Sequence, residues 1–303
     1  MKPKSISDIL KKVRSIEIRT NRMVNEALSG QYQSAFRGSG IDFDEVREYV
    51  PGDDIRSIDW KVTARQGRPF IKKYREDREL TMLLMIDVSA SGFFGSGEES
   101  KRERAAELAS VLAFSAIRNR DRVGLLLFTD RVELYIPPAK GRAHVLRVIR
   151  EILFYEPVGK KTDIRVALET ARGLLKRKAV VILISDFCLT GHFETELAAM
   201  QPLLNSMNRR HDLVGVSVTD PRESELPEVG LLAVEDSETG ELVEIDTRQK
   251  EVREKFSTIA ALYRVVLRKT FRSNGIDLVE LATDKPYLPV LRGFFDTREK
   301  KRR

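Results

Sequence analysis

The sequence predicts an α/β fold: a doubly wound, mostly parallel sheet with a smaller N-terminal helix-plus-β extension. Three observations carry that expectation. Two continuously apolar runs, residues 80–88 and 179–185, have the length and composition of strands buried on both faces. Around them strand-like and helix-like segments alternate, as a parallel sheet covered by helices requires. Both runs end in polar turns that bear aspartate, Asp87-Val88-Ser89-Ala90-Ser91 and Ser185-Asp186. The carboxyl ends of strands are where open α/β sheets bind ligands.

Taken in order, residues 5–28 place Ile6, Ile9, Leu10, Val13, Ile16, Met23, Val24 and Leu28 at helical spacing. Ser5-x-x-Asp8 reads as the cap of that helix and Gly30 as its stop. Between Gln31 and Tyr74, the turn signals Gly38-Ser39-Gly40, Pro51-Gly52-Asp53-Asp54 and Gly67-Arg68-Pro69 separate short pieces. Residues 1–78 therefore read as an extension or small subdomain, β-rich after its helix.

The main domain, residues 79–297, reads as strand 80–88, helix 99–119 and strand 122–128. Thr129-Asp130-Arg131 turns the chain into an antiparallel edge strand at 132–136. Helices at 143–154 and 163–177 precede strand 179–185, helix 193–207 and strand 213–218. Segments 231–235 and 242–245 flank Asp236-Ser237-Glu238-Thr239-Gly240 as a hairpin. A long helix at 247–272 and a strand at 276–281 follow, and residues 298–303 read as a basic tail.

Composition narrows the function classes. Hydrophobic content of 42% and charged content of 33% describe a globular protein with a sizeable core. Its longest apolar runs are too short to span a bilayer. Met1-Lys2-Pro3-Lys4-Ser5 leads into a charged helix and not an apolar signal core, so the expected location is cytoplasmic. The single cysteine, Cys188, excludes an internal disulfide framework and a cysteine-based metal site. His144, His192 and His211 do not cluster, which argues against histidine-ligated zinc. The net charge of +7 is uneven: +5 over residues 1–78, +4 over 298–303 and about −2 between. Basic ends suit nucleic acid or peripheral contact with an anionic membrane, and a solvated helix face with a frayed tail accounts for the same charges. No interleaving of basic and aromatic residues marks a specific nucleic-acid surface.

The chemistry concentrates at the strand ends. Asp87, Ser89 and Ser91 offer one carboxylate and two hydroxyls, the hard oxygen donors that Mg²⁺ and Mn²⁺ prefer. Gly159-Lys160-Lys161-Thr162-Asp163 forms a polar loop just before a helix, and doubly wound topology turns its hydroxyl toward the same point. Asp186 completes a set of five: Asp87, Ser89, Ser91, Thr162 and Asp186. The competing use of the same residues is local, with Ser89 and Ser91 capping the helix after the strand, Thr162 capping its own helix and Asp186 orienting a loop.

This set resembles the metal-ion-dependent adhesion site of von Willebrand factor A domains, over roughly residues 79–296. The resemblance implies that Ser89, Ser91 and Thr162 ligate Mg²⁺, with Asp87 and Asp186 in or beside its coordination sphere. It also implies an open position that reads a partner's Asp or Glu without any catalytic step. Lys160 and Lys161 stand where many A domains carry small residues; they add positive charge beside the metal mouth, or are simply solvated loop lysines.

A second resemblance begins upstream. The stretch Phe43-Asp44-Glu45-Val46-Arg47-Glu48-Tyr49-Val50-Pro51-Gly52-Asp53-Asp54-Ile55-Arg56-Ser57-Ile58-Asp59-Trp60-Lys61, continuing through Thr63-Ala64-Arg65 and Arg68-Pro69, resembles the signature of a bacterial domain-of-unknown-function family. That family joins such a segment to a von Willebrand A-like domain and is typically encoded beside MoxR-type AAA+ ATPases. The resemblance implies a Mg²⁺-dependent interaction module that acts as adaptor for a MoxR-like ATPase, with an acidic client protein donating Asp or Glu to the metal. Read from the residues alone, Asp53, Asp54 and Asp59 alternate with Arg56 and Lys61 and either pair internally to fix the turn or bind a partner. Trp60 is expected to anchor the segment on the main domain.

No catalytic residue is assigned. A haloacid-dehalogenase-like phosphatase needs a second Asp two residues after the first, and Ser89 stands there. Gly159-Lys160 lacks the upstream glycine of a P-loop, and Gly38-Ser39-Gly40 and Gly95-Ser96-Gly97 complete no dinucleotide fingerprint. A serine hydrolase would need a histidine near Ser89 or Ser91 and a nucleophile elbow. A metal-dependent phosphate-ester hydrolase using the same site is the alternative function.

Overall fold

A computed structural model describes residues 6–24, 29–36, 40–77, 79–97, 99–189, 193–235 and 240–302. Ser5, Gly38-Ser39, His192 and the hairpin turn 236–239 lie outside these residues. Contacts divide the chain into one unit of Met1–Ala35 with Leu80–Arg303 and a second of Phe36–Glu79.

The first unit begins with α1 (Ile6–Met23) and α2 (Ser29–Ala35). Gly30 lies within α2 and does not end a helix. Residues 1–35, read from the sequence as part of the extension, fall in the same unit as residues 80–303. Val13, Ile16 and Thr20 of α1 are buried, and Arg19 reaches Glu107 at 2.7 Å while Glu17 pairs with Arg142 and Lys12 with Glu103. An apolar stripe flanked by these pairs ties α1 to the α/β unit.

The second unit holds β1 (Gly40–Glu48), α3 (Trp60–Gln66) and β2 (Phe70–Asp77). Strands β1 and β2 pair antiparallel, with Glu48 opposite Phe70. The densely charged segment fixes its own turns. Asp53 takes both guanidinium nitrogens of Arg47 at 2.6 and 2.9 Å and the Val50 N–H at 2.9 Å. Asp54 accepts from Arg56 N, and Asp59 caps α3 through Lys61 N and Val62 N. Trp60 is 68% exposed.

The remaining elements follow the predicted alternation: β3 (Thr81–Asp87), α4 (Lys101–Arg118), β4 (Arg122–Phe128), β5 (Val132–Ala139), α5 (Arg142–Phe154), α6 (Ile164–Leu174), β6 (Val180–Ser185), α7 (Phe193–Arg210), β7 (Asp212–Thr219), β8 (Leu231–Glu235), β9 (Leu242–Asp246), α8 (Lys250–Ser273), β10 (Asp277–Ala282) and α9 (Tyr287–Arg302). The sheet order is β10-β7-β6-β3-β4-β5, parallel except for β5, which pairs antiparallel with β4 on one edge. Strands β8 and β9 form the expected hairpin. Met82 to Ile86 are fully buried, as a strand covered on both faces demands. Leu83 and Met85 join one core with Ile164, Leu168, Leu204 and Phe271, and the alternate residues point to the opposite face. Each large apolar side chain buried this way contributes roughly 1.5–3 kcal/mol.

A Cβ at Gly215 of β7 would stand 2.3 Å from Phe271 Cε1, so only glycine leaves α8 this close to the sheet. The expected basic tail is instead the end of α9. Tyr287, Leu291, Phe295 and Arg298 form its buried stripe, and Arg298 binds both oxygens of Asp212 at 2.5 and 3.0 Å and Asp277 at 2.7 Å. Among the described residues no helix is long and apolar enough to cross a membrane.

Candidate functional site

Strand order reverses between β3 and β6: the chain leaves β3 for β4 on one side and returns to β6 on the other. Asp87 ends β3, and Ser185-Asp186 ends β6 beside it. Asp87 Oδ1 accepts from the Ser89 N–H at 2.9 Å and Oδ2 from the Ser185 hydroxyl at 2.7 Å. Burial pushes the Asp87 carboxyl up to about 6, with the neighbouring Asp186 carboxylate adding to the rise while the Ser185 and Ser89 donors pull it back. Asp186 Oδ1 accepts the Cys188 N–H at 3.0 Å. The turn between them uses Phe187 at φ +57°, a left-handed conformation that bulky residues seldom adopt. Its N–H is held by the Ser185 hydroxyl, and its ring meets Phe271 edge-on at 5.2 Å.

The hydroxyls are not spent on capping. Ser89 precedes a 3₁₀ turn at Ala90–Phe93 without making a side-chain cap bond, and its Oγ lies 3.1 Å from Ser91 Oγ. Helix α4 is capped by Ser100 and Glu103 in a reciprocal box. Helix α6 is capped by Asp163 and not by Thr162. Thr162 is 5% exposed, and among the described residues its Oγ1 has no hydrogen-bond partner. A buried polar atom left this way costs about 1–3 kcal/mol unless something else binds it. The Ala90 N–H donates to Lys160 O at 3.0 Å, stitching the two hydroxyl-bearing loops together. Asp87, Ser91, Ser185 and Asp186 also share the walls of one small cavity.

Edge strand β5 holds the Thr162 loop. Glu133 accepts from Gly159 N at 2.8 Å, Val158 N at 3.1 Å and Thr129 Oγ1 at 2.7 Å. Burial works against its charge, but these donors keep its carboxyl below the usual range. Gly159 has no room for a side chain, since a Cβ would lie 2.2 Å from Thr129 Oγ1 and Asp130 Oδ1. Lys160 and Lys161 are exposed.

Three further residues complete the strand ends. Lys101 Nζ donates to Asp186 Oδ2 at 2.5 Å and also pairs with Glu223. Asp220, after β7, accepts from Ser96 N and Oγ, Thr283 Oγ1 and Arg222 N, binding three loops to each other. Asp220 stands just after an apolar strand, the same signal that marks Asp87 and Asp186. Lys101 carries no such signal. Ligand atoms of Asp186, Cys188 and Glu223 lie within 4.8 Å of one another, and the Lys101 ammonium already supplies a cation to the two carboxylates. The same cluster forms one wall of a pocket of about 210 Å³ that opens against α8, lined also by Ser217, Thr219, Phe256 and Tyr263.

Asp87, Ser89 and Ser91 are thus joined at the switch point, and the loop that bears Thr162 is bonded to theirs through Ala90 and Lys160. Three of these four side chains offer neutral hydroxyls, and the donor set fits a hard divalent cation that retains most of its charge. Asp186 is the member with a competing partner.

The family described as "Protein of unknown function DUF58" matches residues 45–265. The "Uncharacterized protein Rv1480" of Mycobacterium tuberculosis is 31% identical over 290 residues, covering 95% of this chain and 89% of that protein. Among solved structures, the conserved hypothetical protein BatB from Bacteroides thetaiotaomicron is similar at 14% identity and a TM-score of 0.45, covering 73% of this chain and 99% of that one. The SpRpn10 VWA domain is similar at 11% identity and a TM-score of 0.41, covering 70% and 93%.

Proposed function

The chain belongs to the DUF58 family, and from that premise we propose that it is a Mg²⁺-dependent protein-interaction module whose strand-end site binds an acidic side chain of a partner. The observation that carries this reading is Thr162: its hydroxyl is buried, freed from capping by Asp163, and without a hydrogen-bond partner among the described residues, on a loop bonded to the one that bears the Ser89–Ser91 hydroxyl pair. Asp87, Ser89, Ser91 and Thr162 would hold the ion, with Mn²⁺ able to replace Mg²⁺. When bound, the ion supplies a Lewis-acidic open position that a partner's Asp or Glu can fill. This chain's own residues do the rest. Glu133 and Gly159 fix the threonine loop, Ser185 orients Asp87, and Lys160 and Lys161 present positive charge at an exposed loop.

The family resemblance supplies the partner side of the proposal: an adaptor that links a MoxR-like AAA+ ATPase to acidic client proteins during assembly or remodelling. A pull-down in Mg²⁺ against chelator, with wild type beside Asp87→Ala, tests both halves. Metal-dependent capture of such an ATPase or client, lost in the variant, supports it. Capture that ignores both chelator and substitution overturns the metal-dependent docking.

A further inference from the structure

Lys101 is 3% exposed and is the first residue of α4. A lysine is almost never this buried without a partner, and nothing in the helix calls for one here. Ser100 and Glu103 already satisfy the α4 N-terminus, and a positive charge in the first turn opposes the helix dipole. What holds the ammonium is the pair of carboxylates across from it, Asp186 at 2.5 Å and Glu223. Phe94 covers it, with the ammonium 5.9 Å from the ring centroid.

We propose that Lys101 is a resident counter-ion that holds Asp186 apart from the metal, so that a divalent cation on Asp87, Ser89, Ser91 and Thr162 meets one free carboxylate and keeps positive charge for an acidic partner. The proposal rests on the metal-dependent reading above and names the residue that sets its charge balance. Asp87 and Asp186 line the same small cavity at the strand ends. Two free aspartates would neutralise a divalent ion outright, giving a tight but electrostatically spent site. With the ammonium on Asp186, the ion binds less tightly and the open position stays attractive to an outside carboxylate. Lys101 thus acts as a positioning residue, working through Asp186 and not on the ion itself.

The test measures Mn²⁺ affinity by electron paramagnetic resonance on the full chain, for wild type, Lys101→Arg, Lys101→Met and the double variant Lys101→Met/Glu223→Gln. The double variant removes one charge of each sign and leaves Asp186 unpaired, which keeps the test usable if Lys101→Met alone fails to fold. Expected is Mn²⁺ affinity about tenfold or more above wild type in the double variant, because the net charge nearby is unchanged while the Asp186 carboxylate is freed from its ammonium and can act on the ion. Lys101→Arg should stay within about threefold of wild type, because the guanidinium preserves the ion pair. Loosened packing would weaken metal binding, so tighter binding separates the proposed role from a merely structural one. Equal affinity in wild type and double variant overturns the role of Lys101 alone. No Mn²⁺ binding to any of the proteins overturns the metal reading and this proposal together.

Discussion

Glu133 on the edge strand and Gly159 in the threonine loop are joined by a 2.8 Å hydrogen bond, with Thr129 sharing the same carboxylate oxygen at 2.7 Å. Glu133, 26 positions upstream of Gly159, therefore fixes the loop that carries Thr162. Glu133→Ala strands two backbone N–H groups and one hydroxyl, and should cost about 1–3 kcal/mol. Gly159→Ala drives a methyl into Thr129 and should cost a similar amount. Denaturant melts give the stability loss; a Mg²⁺-induced rise in Tm that shrinks in both variants shows that the loop's position matters to the site.

Asp87 illustrates the cost of a site held ready. Its ionised form is buried beside a second carboxylate, and a rise from 3.8 to about 6 penalises the metal-free fold at neutral pH. Each tenfold change in proton affinity is worth about 1.4 kcal/mol, so the penalty is on the order of 2–3 kcal/mol. Asp87→Asn removes the charge and should raise the Tm of metal-free protein while abolishing its response to Mg²⁺. A variant less stable than wild type in chelator would show that Asp87 is there to hold the fold.

His211 is 3% exposed, and neither ring nitrogen has a hydrogen-bond partner among the described residues. Burial, with Arg210 adding to it, lowers its proton affinity. The unfolded chain then takes up a proton near pH 6.5 that the folded chain refuses until lower pH. At this residue stability falls as pH drops below about 6.5. Thermal melts at pH 7.5 and 5.5 should show a smaller acid-induced loss in His211→Leu than in wild type; equal losses would mean that His211 does not titrate across this range.

Arg298 joins the α9 stripe to Asp212 of β7 and Asp277 of β10. Arg298→Ala leaves two half-buried carboxylates without their guanidinium, and about 3 kcal/mol of stability should go with it. Lys301 still reaches Asp277 at 2.7 Å, so Asp212 bears most of the loss. The double variant Arg298→Ala/Asp212→Asn should recover part of the stability in a urea melt, and no recovery would place the cost in lost packing.

The sheet was legible because parallel strands buried on both faces are written as unbroken apolar runs, as in Met82 to Ile86. Edge strand β5 was legible through the tight turn at Thr129-Asp130-Arg131. Asp87, Ser89, Ser91 and Asp186 were locatable because each adjoins such a run. Helix α9 was not. Its buried stripe ends in a charged residue, so Arg298 reads as tail until Asp212 and Asp277, 86 and 21 positions away, are seen beside it. Lys101 was hidden for the same reason, with its carboxylates 85 and 122 positions downstream. Long-range ion pairs leave no local pattern. The grouping of residues 1–35 with residues 80–303 was not legible for a related reason: the α1 stripe was clear, but the surface it covers is distant in sequence.

Gly215 gives Phe271 the space to lie against β7, and Phe271 in turn meets Phe187, the residue that turns the chain just past Asp186. Helix α8 and the acidic strand end therefore share one aromatic bearing. Any shift of α8 at Phe271 has to be absorbed by Phe187, whose left-handed backbone has little slack, and the next group along the chain is the carboxylate that grips Lys101. A ligand wedged against α8 in the neighbouring pocket would bear on the charge balance of the strand-end site from two sides, through this aromatic bearing and by direct contact with Asp186 and Glu223, which form part of the pocket wall.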